Sequence, residues 1–87
     1  MTILHRKYAN AMFLLKQNKL DEGATILYQV IGDEYMSDTD MENLKYACLM
    51  SLAQINEIKD KLLDALSCYW GALSIISNQA KLVQQKV

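Results

Sequence analysis

Proline is absent from the 87 residues and only three are glycine, so nothing forces a break in long helices anywhere along the chain. No apolar run approaches the ~20 residues needed to span a membrane. The opening "MTILHRKYANAM" lacks a signal-type apolar stretch, because His5, Arg6 and Lys7 interrupt it. Excess charge of either sign is also missing. Nine basic residues stand against ten acidic ones, for a net charge of -1, and no basic stripe exists to release counterions from nucleic acid.

Chemistry-bearing residues are scarce as well. His5 is the single histidine, so no histidine dyad, triad or His-rich metal site can be built within the chain, and its place beside Arg6 and Lys7 predicts a solvated side chain. Cys48 and Cys68 lack metal-type spacing. Each sits within an apolar helical pattern and reads as a buried thiol in a reducing compartment. Asp33-Glu34 and Asp38–Glu42 concentrate acid, but without the alternating ligands and glycine turn of a cation loop. They read as a solvated, flexible connection. With no phosphate cradle and no nucleophile elbow, the expectation is a non-enzyme without cofactor or metal.

What remains is apolar surface at helical spacing. The apolar fraction of 52% excludes disorder, and the length allows one domain near the lower limit for a sufficient core. Leu4, Tyr8, Ala11, Met12 and Leu15 predict a helix over 3–17. "QNKLDEG" turns the chain, with Asp21 and Glu22 suited to the start of a second helix over 20–32. Gly32 is placed as its C-terminal stop. "DEYMSDTDME" is the polar connection, and Thr39 with Glu42 forms a capping-box pattern that starts a third helix near Asp40 and carries it to Ile58. After "KDK" a fourth helix runs to about residue 77, where Asn78 is a candidate stop. "QAKLVQQKV" is then a short fifth helix, a cap or a frayed tail.

The two helix pairs overlay. Tyr8, Leu15, Ala24, Tyr28 and Ile31 fall on Leu49, Asn56, Ala65, Tyr69 and Ala72 with an offset of 41. In each pair an Ala in the second helix precedes a Tyr by four residues, so Ala24 and Ala65 are expected at close helix crossings. An internal repeat of helix pairs means a solenoid.

This pattern resembles the tetratricopeptide repeat (TPR). The second pair carries it best, in Leu49, Leu52-Ala53, Ala65, Tyr69 and Ala72, and departs at Asn56, where an aromatic is usual. The first pair fits at Tyr8, Leu15, Ala24 and Tyr28, with Ala11-Met12 inverted in size and Ile31 in place of Ala. The resemblance implies an all-α module of tandem antiparallel helix pairs: repeat one over 3–32, a connection over 33–39, repeat two over 40–77 and a tail or cap over 78–87. The family period of about 34 residues puts seven extra residues in the connection. "LKYACLMSLAQINEIKDKLLDALSCYWGAL" and "AMFLLKQNKLDEGATILYQVI" also look like N-terminal repeats of the large TPR subunit of the HIR histone-chaperone complex, the cabin-type calcineurin-binding family. That would make the chain a fragment of a nuclear protein; otherwise an intracellular, cytoplasmic location is expected.

The family binds partner peptides in a groove lined by the first helix of each pair. The resemblance places Arg6, Ala9, Phe13 and Lys16 there, followed by Ala47, Met50, Gln54 and Glu57. Members that grip acidic chaperone tails use Lys and Asn where this chain has Ala9 and Phe13, and a further Asn is replaced by Ser51. A terminal carboxylate thus lacks its partners, and an apolar helix or extended peptide fits better. On the fourth helix, Leu62, Leu66, Tyr69 and Leu73 form one face, expected to pack against the third helix. Leu63, Trp70 and Ile75 lie outside it and are candidates for an interface. The expected function is a protein-protein interaction scaffold. The second reading is a small helical protein that forms a homodimer through its unfilled repeat edge.

Overall fold

The computed structural model describes residues 3–32 and 39–85, with side-chain surroundings for 3–32 and 42–80. The acidic connection over 33–38 lies outside the described residues. Four helices follow in order: α1 (Ile3–Lys16), α2 (Leu20–Ile31), α3 (Thr39–Ile58) and α4 (Leu62–Gln85). The described residues contain no strand.

Two features of the sequence dictate the hairpins. The stripes Leu4, Tyr8, Ala11, Leu15 and Leu44, Cys48, Leu52, Ile55 bring apolar side chains round once per turn, so each helix has one face to bury. Between paired helices the chain turns on a single left-handed residue, Asn18 (φ 63°) in the first turn and Asp60 (φ 60°) in the second. Asn and Asp tolerate this conformation better than other side chains with a Cβ. The backbone bonds around them match one for one. The Lys19 amide donates to the Leu14 carbonyl (3.0 Å) as Lys61 donates to Asn56 (2.7 Å), and Gly23 donates to Lys19 (3.1 Å) as Ala65 donates to Lys61 (3.0 Å).

These equivalences fix the repeat at an offset of 42 (18 to 60, 23 to 65), not the 41 read from the sequence. The burial pattern agrees. Ala11 and Ala53 are both fully buried, Gly23 and Ala65 are both buried, and so are Val30 and Ala72. Ala24, expected at the α1–α2 crossing, is only half-buried, and Gly23 takes that place. A Cβ built on Gly23 would lie 2.7 Å from Leu15 Cδ2 and 3.3 Å from the Ala11 carbonyl oxygen, so even alanine there would require the Leu15 side chain to move and the Ala11 carbonyl to give slightly. Ala65 fulfils its expectation, at 3% exposure.

Packing is sequential. α1 pairs with α2, α3 lies between α2 and α4, and α1 touches α3 only lightly. The core joins Ala11, Leu27 and Val30 to Leu44, Cys48, Leu52, Ala53, Ile55 and Cys68. Gly32 closes α2 in a right-handed conformation (φ -77°), its amide reaching Tyr28, and not as a left-handed stop. α4 also departs from expectation. Asn78 does not end it, and the helix continues unbroken to Gln85, about 36 Å in all. Gln79 Nε2 donates to Asn43 Oδ1 (3.1 Å) and Glu42 Oε2 (3.4 Å), which holds this extension alongside the start of α3. A tail folded back as a cap is therefore replaced by a straight extension of α4. No helix among the described residues is long and apolar enough to cross a membrane.

Candidate functional site

α4 has two apolar faces. The inner one is made of small groups: Ala65, Cys68 and Ala72 are buried, and Gly71 lies so near α3 that an added Cβ would be 3.2 Å from Leu49 Cδ1. Small side chains let two helices pack at short range, and bulky ones cannot enter that seam. The leucines therefore point elsewhere. Leu62, Leu66 and Leu73, expected against α3, are 64%, 53% and 55% exposed.

With Leu63, Trp70 and Ile76 they make an outer stripe along α4. Leu63 is the most open, at 81%, and Trp70 is 62% exposed. The expectation for these two as outward residues holds. Ile75 does not join them, since it is half-buried and its helical position turns it toward the α3 side. Beside the stripe, Tyr46 and Met50 of α3 line an open crevice with Tyr69, Ala72, Leu73 and Ile76. Leu66, Tyr69, Trp70 and Leu73 line a second, almost wholly apolar one.

Tyr69 sits at the boundary between the faces. Its hydroxyl donates to the Glu57 carboxylate, which holds the phenol in its neutral form and raises its pKa. Glu57 is thus engaged at the edge of the crevice that contains Met50. Gln54 is exposed one turn earlier.

On α1, Arg6, Ala9, Phe13 and Lys16 are all exposed, Phe13 at 62%. With the offset of 42, however, they correspond to Cys48, Ser51, Ile55 and Ile58, not to Met50, Gln54 and Glu57. The one-residue slip separates the two halves of the expected groove onto non-equivalent faces. The α1 residues equivalent to Met50, Gln54 and Glu57 are Tyr8, Met12 and Leu15, which are half-buried.

Polar and thiol groups serve the interior. Asn56 is buried and its side-chain amide donates to Cys68 Sγ (3.7 Å), so the amide has a partner within the core. Burial pushes the Cys48 thiol up to about 12 and raises that of Cys68, which keeps both protonated and unreactive at neutral pH. Lys59 pairs with Asp21, tying the second turn to the start of α2; this ion pair and the nearby Lys61 lower the carboxyl pKa. His5 is half-buried and not fully solvated. Among the described residues no group of three His, Cys, Asp or Glu could hold a metal ion.

The outer stripe was missed as a unit because its members were divided between core and surface. The signal that finds it is the row of small residues Ala65, Cys68, Gly71 and Ala72. It marks the close contact and leaves the leucines on the other side. No protein-family model, curated protein or solved structure matches the chain.

Proposed function

We propose that the chain is a non-catalytic protein-protein interaction module, a TPR-like pair of helical hairpins whose outer α4 face receives a partner helix. The observation that carries this reading is the fate of one face in the two hairpins. On α2, Leu20, Ala24, Leu27 and Ile31 are half-buried or buried, and α3 lies beside that helix. Their equivalents on α4 are Leu62, Leu66, Tyr69 and Leu73, at the same offset of 42. Three of these four are more than half exposed. The second hairpin thus offers the surface on which the first receives a helix. Contiguous apolar patches of this kind mark interaction sites.

The α1 surface with Arg6, Ala9, Phe13 and Lys16 offers one large apolar group between two cations and is the lesser candidate. The HIR-type histone-chaperone assignment rests on sequence resemblance alone and would place the same module at one end of a larger scaffold.

Selection of a displayed library of random amphipathic helices against the chain tests the reading. Leu- and Ile-rich helices should be enriched, and Trp70→Ala should weaken them by about tenfold or more. Enriched peptides that are indifferent to Trp70→Ala but lost with Phe13→Ala would move the site to α1. Enrichment indifferent to both would contradict the proposal.

A further inference from the structure

The outer stripe of α4 has a regular spacing. Leu62, Leu66, Tyr69, Leu73, Ile76 and Ala80 follow one another at steps of four, three, four, three and four, the spacing of a coiled-coil seam. Such a seam meets a helix. The flanking positions say which helix it can accept. On one flank stand Leu63, Trp70 and Ser77, and on the other Ala65, Ala72 and Gln79. None is charged. On the second flank Ala65 and Ala72 are buried against α3, and the Glu57 carboxylate at that rim is engaged by the Tyr69 hydroxyl, so α4 itself sets no charge against a copy of itself.

The other end of the molecule narrows the choice. A head-to-tail stack would set the α1 of one copy on the α4 of the next, as α3 sits beside α2. The α3 residues Cys48 and Leu52 are fully buried, but their α1 equivalents are Arg6 and Asn10, both exposed. A cation and an amide in those places close that end with polar groups, as terminal repeats of solenoids are closed. An open apolar edge at α4 and a polar edge at α1 leave two-fold pairing of α4 with α4 as the arrangement two copies can form.

Resting on the interaction-module reading above, we propose that the occupant of this face is a second copy of the chain, in an antiparallel, two-fold α4–α4 pair. Antiparallel pairing sets Leu66 over the partner's Ile76, Tyr69 over the partner's Leu73 and Leu62 over the partner's Ala80. It opposes the two helix dipoles. The six large exposed residues of the stripe present at most roughly 700 Å² per copy, so pairing removes up to about 1,400 Å² in total, at the lower end of the range of specific interfaces. The share contributed by one copy is about a tenth of its 6169 Å² surface.

Sedimentation velocity of the chain from low to high micromolar concentration tests the proposal. A dimer is expected. Leu66→Lys and Leu73→Lys should each weaken it by about 100-fold or more, because each change enters the two-fold seam twice. Phe13→Lys should leave it intact. Leu66 and Leu73 are more than half exposed, so circular dichroism should show all three variants as helical as the parent. Mixing L66C and I76C chains should yield crossed disulfides faster than either chain alone. Faster self-linking of L66C would overturn the antiparallel pairing. A monomer throughout the range would overturn the second copy as occupant while leaving the selected-helix test of the module unaffected. A dimer indifferent to both seam substitutions would overturn the seam itself.

Discussion

The two hairpins share a turn, a register and a close crossing, yet they differ in how many sides of the second helix are covered. Among the described residues, α2 packs on α1 and α3, whereas α4 packs on α3 alone. The equivalent positions show what this does to composition. Leu27, fully buried in the first hairpin, becomes Tyr69 in the second, with its hydroxyl on Glu57 at the rim. Ala24, half-buried on α2, becomes Leu66, more than half exposed on α4. A solvated terminal face would be expected to turn polar. This one gained apolar volume, which is the physical basis for assigning it a partner.

The largest effect should follow from removing volume where the cover is complete. Leu27→Ala opens a cavity against both neighbouring helices and should cost about 2–5 kcal/mol in chemical denaturation. Leu66→Ala, one turn from the equivalent place on α4, should cost far less at concentrations where the chain is monomeric. Similar losses at the two sites would mean that α4 is covered within one chain, and the contrast would fail.

Next come the crossings. Gly23→Leu and Ala65→Leu both force bulk into a helix contact, and each should cost about 1–3 kcal/mol. Gly23→Leu should be the more severe, since Leu15 and the Ala11 carbonyl already crowd that point. Ala24→Leu should be tolerated, as the half-buried neighbour of the true crossing. The reverse order, Ala24→Leu worse than Gly23→Leu, would restore the offset of 41.

The smallest effects are electrostatic. The Asp21 carboxyl has a lowered pKa in the folded chain, chiefly through its bond to Lys59. Its contribution is present above the ordinary carboxylate pKa and is lost as pH falls through the lowered one. The melting temperatures of the parent and Asp21→Asn should differ slightly at neutral pH and converge in acid. Tyr69 has the opposite sense: its raised phenol pKa gives a contribution present below the ordinary tyrosine pKa and lost as pH rises through the raised one. Tyr69→Phe should remove that alkaline loss, with melting curves at successive pH values as the check.

The helices were largely legible in the sequence because periodicity is a strong signal over three or more turns. All four helix ends at the hairpin turns fall within one residue of expectation, since Asn18 and Asp60 are marked by polar neighbours. The register was not legible. The Ala24–Ala65 match draws an alignment by identity, but the close crossing requires only smallness, which Gly23 supplies better. The end of α4 was misplaced for a different reason. Asn78 has only a modest preference against helix, and the following Gln, Ala, Lys and Leu favour its continuation. The outer stripe was half legible: Leu63 and Trp70 stood out, while Leu62, Leu66 and Leu73 looked like core until the small residues of α4 were seen against α3.

The central claim is that the outer face of α4 is a helix-receiving surface which a second copy fills. Trp70 is the single tryptophan and lies on that face at 62% exposure, so its fluorescence reports on this surface alone. Emission should be shifted to the blue at high protein concentration and move to the red on dilution along the same curve as dissociation of the dimer. In Leu66→Lys it should stay red at all concentrations. Red emission from the parent chain, unchanged over a thousandfold dilution, would contradict the account.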